Sequence, residues 1–450
     1  MISPASRHRW GVAVVTLVIG LALPGVWVGA ADTVSSETVD LPTPALCFAP
    51  GTPPDKIAEA YERAEWSFKR HSLAPAPFLK YEIDYRWWAT ATDGSGLSQG
   101  DPMTLTWSVV PDGTTIPAEF GYPGAPSNIR AFLNGIYGNE ATWLALFQQV
   151  FDRWAELTGI TYVYEPNDDG VNLSGLGGVI GVRGDIRIGG KLIDGGPGGI
   201  LAYNYYPTDG DMVIDTGDSF YTNITGTSIR FRNTVAHEHG HGLGFDHVCP
   251  MNQTKLMEPY LTTLFDGPQH DDILAANRFY GDRFEHDETT GTAASLGSFS
   301  STTETNLSID DNSDVDIYSF IAGASTALDV TLTPTGATYL SGPQETVYPY
   351  NCTAGSSFNS LVVHDLAVRV LDANGSTELA EADLSGAGQS EVLEDVVLTS
   401  GAGTYFIEVA GDSTDSAQLY QLSLTISSST HIFSDGFQSG GTSSWSNAVP

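Results

Sequence analysis

The stretch HEHGHGLGFDH, residues 237–247, contains four of the chain's 10 histidines. On a helix, residues four apart share a face about one turn from each other, so His237 and His241 can aim two imidazoles at one point. Glu238 follows the first of them directly, a position from which a carboxylate reaches a metal-bound water without itself being a ligand. Gly244 opens a backbone conformation closed to most residues, and the bend returns His247 toward the same point. Three imidazole nitrogens with a fourth position left to water form the catalytic arrangement of zinc, as opposed to a closed structural site. A lone H-E-x-x-H occurs by chance on ordinary helices, and a lone glycine simply caps one; the joint spacing carries the assignment. His239 points elsewhere and is read as a non-ligand.

The elements around this cluster follow from hydrophobic period and punctuation. A helix is expected from about Phe231 to Leu243, closed by Gly244. Upstream, NEATWLALFQQVFDRWAELTG places Trp143, Phe147, Val150, Phe151 and Trp154 at spacings of three and four, a helix stopped by Gly159. TLTWSVV from Thr104, then ITYVYE, VIGVRGDIRIG, ILAYNYY and DMVID, read as strands between Gly and Asp turns. DDILAANRFYG is a further helix, with Asp271 and Asp272 at its N-terminus and Gly281 at its end. Beyond residue 283 the helical period disappears, and VDIYSFIAG, ALDVTLTP, LAVRVLDANG and GTYFIEVAG predict an all-β sandwich over 287–427. Residues 31–80, rich in Pro, Ala, Ser and Thr with one short helical pattern from Lys56 to Lys69, read as a pro-segment or linker; 428–450 reads as a Ser- and Gly-rich tail.

Composition bounds the partners. With 19 Lys and Arg against 54 Asp and Glu, the net charge of −35 repels nucleic acid and anionic membrane surfaces, and suits either a soluble secreted surface or oxygen ligands for calcium. Arg7 and Arg9 before an apolar run from Val12 to Val28, then Gly29, Ala30 and Ala31, predict a signal peptide over 1–30 and hence a secreted, extracellular protein with no membrane attachment after cleavage. Cys47, Cys249 and Cys352 permit one disulfide, its pairing open. Oligomeric state is not legible.

His237, Glu238, His241, Gly244 and His247 fit H-E-x-x-H-x-x-G-x-x-H, and the region resembles the metzincin metallopeptidases. Within that clan it is most similar to the matrixins: Leu256, Met257 and Pro259 in KLMEPY match their Met-turn, and DDILAANRFYG looks like their closing helix. The astacins and serralysins often place a tyrosine where Pro259 stands. The resemblance implies an α+β metzincin catalytic domain over 81–283, a mixed twisted sheet with three main helices, acting as a zinc metalloendopeptidase on proteins or peptides with Glu238 as general base. It further implies that Ile200, Leu201, Ala202 and Tyr203 bind an extended peptide by strand addition. By position, Asp194, Asp215 and Asp218 would make one calcium site and Asp185 and Asp211 help make another, although the loop from Asp194 carries one glycine more than is usual.

Two departures matter. Tyr203 and Val213 stand where matrixins carry histidines for a second, structural zinc, and 186–193 contains none, so one zinc ion is expected. Cys47 lacks the flanking Arg and Gly of the family's zinc-capping cysteine; a disulfide with Cys249 or Cys352 is the expectation, a thiolate switch the alternative. Residues 287–427 resemble the bacterial pre-peptidase C-terminal β-sandwich, where Asp310, Asp311, Asp314 and Asp316 offer either calcium ligands or a solvated turn. The competing reading is a secreted adhesion or carbohydrate-binding protein with a vestigial zinc site.

Overall fold

The computed structural model describes residues 44–63, 83, 85–345 and 351–428. The signal segment expected over 1–30 and all but Ser428 of the expected tail lie outside the described residues. No helix among the described residues is long and apolar enough to cross a membrane.

Six strands build the first sheet: β1 (Ala45–Phe48), β2 (Met103–Val109), β3 (Ile160–Tyr164), β4 (Ile186–Lys191), β5 (Ile200–Asn204) and β6 (Met212–Asp215), in the order β1-β5-β6-β4-β2-β3. Four of them, β3, β2, β4 and β6, run parallel, and β5 is antiparallel to β6. Every residue of β4, β5 and β6 is buried, which is how strands read when both faces of a sheet are covered. The long apolar run VIGVRGDIRIG is only half strand; its first part turns back on itself, with Val179 bridged to Arg183.

Among the described residues five α-helices accompany the sheet: α1 (Pro54–Arg63), α2 (Ile129–Tyr137), α3 (Glu140–Leu157), α4 (Thr225–Gly242) and α5 (His270–Tyr280). In α3 the Asn139 side chain accepts from Thr142 N at 3.1 Å, capping the first turn, and the aromatic stripe from Trp143 to Trp154 is buried. Gly159 follows because any Cβ there would stand 2.2 Å from Tyr280 O. Three left-handed residues, Gly226, Thr227 and Ser228, occupy the start of α4, so the regular helix begins near the expected Phe231.

Within the interval 31–80, residues 45–63 are integral to this fold. β1 pairs antiparallel with β5, and Leu46, Cys47, Phe48, Ile57 and Tyr61 belong to the same buried core as the sheet. ALCF is short and lies among prolines, so its strand character shows only once β5 presents an edge to it.

Downstream, two sheets enclose a second core. One takes strands 294–297, 315–322, 403–410, 367–371 and 378–382, the other 301–309, 418–428, 326–335 and 391–397. Tyr318, Phe320 and Ile407 from the first meet Leu328, Val330 and Leu422 from the second. A hairpin leaves this unit toward the first: β7 (Val248–Cys249) pairs antiparallel with β8 (Thr338–Pro343), and β8 pairs with β9 (Ser356–Asn359). Cys249 and Cys352 form a disulfide across this junction, and Cys47 is free and buried; the pairing expected for Cys47 does not form, because β1 holds it in the core against β5. On the far side, Arg278 of α5 donates to Asp310 O at 3.0 Å and to Asp415 Oδ1 at 2.6 Å.

One buried ion pair fastens the loop before β4. Arg187 donates from Nε and Nη2 to the two oxygens of Asp168 at 2.9 and 2.7 Å, and from Nη1 and Nη2 to Asn172 O and Val171 O; both charged side chains are fully buried. Burial opposes ionisation of Asp168, but the bonds from Arg187, Gly170 and Ser108 outweigh it and hold its carboxyl below the ordinary range. Asp168→Ala leaves the guanidinium without its counter-ion, and we expect a loss of about 3–5 kcal/mol in urea unfolding; a loss under about 1 kcal/mol, the size of a surface pair, would show that the pair does not hold the loop.

Candidate active site

The second half of α4 is enclosed: every residue from Asn233 to Gly242 is buried. His237 and His241 stand one turn apart, as their spacing predicts, and the chain then reverses at Gly244, whose φ of 101° puts any Cβ 1.5 Å from Tyr85 O. That reversal needs glycine, and it brings His247 to the other two. Nε2 of His241 lies 3.1 Å from Nε2 of His237 and 3.2 Å from Nε2 of His247.

The opposite ring nitrogens define the tautomers. His237 Nδ1 donates to Leu256 O at 2.7 Å, His241 Nδ1 to Phe245 O at 2.6 Å, and His247 Nδ1 to Gln344 Oε1 at 3.0 Å. With the protons on Nδ1, three bare Nε2 lone pairs face one another with no hydrogen between them, a buried arrangement that a cation resolves. Burial, then the charge of His247, pulls His237 down to about 3; burial and both neighbouring rings hold His241 well below the usual histidine range; burial brings His247 to about 4. All three are therefore neutral at pH 7, the ligating form of imidazole. Three neutral nitrogens converging on one point fit zinc.

The supports of this cluster are partly invisible in the sequence. Met257 packs against α4, its Sδ so close that a Cβ on Gly240 would sit 2.3 Å away. Asp272, the third residue of α5, accepts from Leu256 N at 2.8 Å and Met257 N at 3.0 Å, fixing the turn whose carbonyl holds His237. The last carbonyls of α4 go to side chains from far away in sequence: Trp87 Nε1 donates to Gly242 O and Tyr280 Oη to Leu243 O, both at 2.7 Å. The acidic pair opening α5 is a visible helix-start signal, but nothing in it reports a second bond to residues 256 and 257. His239 does point away, to Tyr162 Oη at 2.6 Å among Phe151 and Trp154.

Glu238 is fully buried and neither of its carboxylate oxygens has a protein partner. Burial pushes its carboxyl well above the ordinary range. The Cys47 thiol is pushed up by burial and then by the Glu238 charge. Cys47 is not among the groups whose ligand atoms converge with the histidines.

Ile200, Leu201, Ala202 and Tyr203 form β5, between β6 on one edge and β1 on the other. The edge expected to receive a peptide is thus already filled: Leu46 pairs with Tyr203, Cys47 with Ala202 and Phe48 with Ile200. On its other flank β1 meets the segment after Met257, with a parallel bridge from Phe48 to Tyr260 and Leu261 N donating to Phe48 O at 3.1 Å. β1 thus takes up the edge of β5 that β6 leaves open.

Among the expected calcium ligands, Asp194, Asp215 and Asp218 gather at the glycine loop. Asp215 accepts from the backbone of Ile193, Asp194, Gly195 and Gly217, Asp194 from Gly196 and Ile200, and Asp218 from Phe220. Burial raises Asp215 to about 6, the Asp194 charge adding to it. Asp185 engages Ala91 N, Thr106 N and Thr106 Oγ1, and Asp211 accepts from Arg187 N. No three of these five bring ligand atoms within 4.8 Å of one another.

Glu285, Asp287 and Asp316, at the junction with the β domain, do meet that distance. Asp287 and Asp316 are buried, and Asp287 has no partner on either oxygen. Burial, then the neighbouring acidic charges, lifts Glu285 to about 11 and Asp287 to about 9. Of the acidic run singled out in the sequence, Asp316 belongs to this group; Glu285 and Asp287 carried no motif.

No curated protein matches the chain. Among solved structures, the pre-peptidase C-terminal domain of a Bacillus anthracis collagenase matches at 12% identity over 30% of this chain and 94% of that one, with a TM-score of 0.18. An Aeromonas hydrophila periplasmic inhibitor of g-type lysozyme matches at 12% identity over 30% and 97%, also at 0.18. The Matrixin peptidase family matches residues 138–281, from the glycine before α3 to the glycine after α5. That span encloses the three converging imidazoles, Glu238 and Met257, and it is the matrixin metallopeptidases that this segment resembles.

Proposed function

We propose that the chain is a secreted zinc endopeptidase that cuts polypeptide held as an added strand along β5. The observation carrying this reading is Glu238, a buried carboxylate with no protein partner beside three bare imidazole nitrogens. His237, His241 and His247 would hold zinc, which when bound would supply Lewis acidity to the reacting centre. Glu238 takes the proton from the attacking water and returns it to the leaving amine. β5 and Leu261 N align the peptide backbone from opposite sides, and enclosure of α4 keeps bulk water from the proton path. Casein cleavage should fall by about 10²–10⁴ in Glu238→Ala with zinc content unchanged; activity equal to wild type would eliminate Glu238 as the base.

Residues 45–48 occupy the same slot in this chain, so a peptide enters only when β1 leaves. Apparent affinity then scales with the fraction of molecules whose slot is open. Cys47→Asp, which puts a charge into the buried face of β1, should lower the apparent KM for a peptide substrate, about tenfold for each 1.4 kcal/mol of β1 docking lost. An unchanged KM, in a variant that still folds, would refute occupation of the substrate slot by β1.

Calcium is assigned to the junction cluster. Glu285, Asp287 and Asp316 bring oxygen ligands together where two of the three are buried, and the orphaned Asp287 oxygens favour a hard cation. Titrating calcium into the zinc-loaded, calcium-free chain should raise Tm, with a stabilisation of about 2.7 kcal/mol at a hundred times Kd, and Asp287→Asn should abolish most of that rise. A Tm indifferent to calcium in the wild type would remove the assignment.

A further inference from the structure

Two of the three Nδ1 acceptors belong to the backbone of the peptidase segment itself, Leu256 O and Phe245 O. The third comes from elsewhere: Gln344, 97 residues beyond His247, reaches in from the hairpin of the β domain. Its position is fixed by several fastenings. Val248 pairs with Pro343 and Cys249 with Gly342, so β8 runs as the neighbouring strand to the residues that follow His247. Gln344 is bridged to Cys352, and Cys352 is bonded to Cys249. Gln344 is 8% exposed, as is His247, so water offers the ring nitrogen little replacement.

We infer that Gln344 is a positioning residue of the metal site, and that the β domain thereby completes a centre whose ligands all lie in the peptidase segment. By accepting the Nδ1 proton, Gln344 Oε1 selects the tautomer of His247 that presents a bare Nε2 to the other two rings, and it sets the ring plane. No backbone carbonyl does this for His247 as Phe245 O and Leu256 O do for its partners. The hairpin and its disulfide act to deliver this one amide. The inference rests on the three-histidine site holding zinc.

The test uses the full chain and two near-isosteric variants. Gln344→Met keeps length and removes the acceptor; Gln344→Glu keeps an acceptor. Zinc affinity is measured by competition with a chromogenic chelator, and the visible absorption of the cobalt-loaded protein reports ligand geometry. Gln344→Met should bind zinc about 10–100-fold more weakly and shift the cobalt bands, while Gln344→Glu stays within a few-fold of wild type with bands unshifted. Equal affinity and identical cobalt spectra in Gln344→Met overturn the inference, as does an equal loss in Gln344→Glu. Should Gln344→Met fail to fold by circular dichroism, Gln344→Ala takes its place under the same criteria. A wild-type chain that binds no zinc instead refutes the metal reading itself, so the two failures are distinguishable.

Discussion

Three unprotonated imidazole nitrogens, that of His241 at 3.1 and 3.2 Å from the other two, are crowded together in a place water hardly reaches, and the elements around α4 are arranged to hold them there. Left to themselves, neutral rings would rotate or exchange tautomers until a proton lay between them. Each ring is prevented by an oxygen behind it, and each oxygen is in turn immobilised: Leu256 O by the bonds Asp272 makes to that turn, Phe245 O by the reversal at Gly244, Gln344 Oε1 by the hairpin. Much of the architecture around α4 is thus scaffolding for tautomers. The terminal carbonyls of the helix, taken up by Trp87 and Tyr280, belong to the same scaffold.

The histidine cluster was legible because its information is local. Helical period places His237 and His241, glycine at 244 supplies the bend, and His247 follows within three residues. The aromatic stripe of α3 and the alternating strands of the β domain were legible for the same reason: period alone implies a buried face. The elements on either side of the site followed from these patterns, whereas the α+β class of the catalytic domain came from the resemblance to the metzincins.

What escaped reading was long-range. Gln344 has no motif, and its relation to His247 exists only after two chain segments pair. β1 is four residues among prolines, and its strand form is imposed by the open edge of β5. Arg187 sat inside a run that reads as strand, and nothing local announced that Asp168 would meet it in the interior. The fate of Cys47 turned on the same cause: a thiol placed by β pairing is unavailable to either of the other cysteines. The expected calcium aspartates illustrate the converse, since their loop chemistry was readable but the backbone N–H groups they accept from were not.

The passage between β5 and Leu261 is one strand wide, with main-chain groups on both walls. A helix, roughly 10 Å across, cannot thread it, and neither can a hairpin. On the function proposed above, a substrate cut there would have to arrive as a single stretched polypeptide, so a compact target would be attacked only as often as one of its loops or ends unravels. Under that proposal the speed of digestion would report the local stability of the target as much as the power of the catalyst.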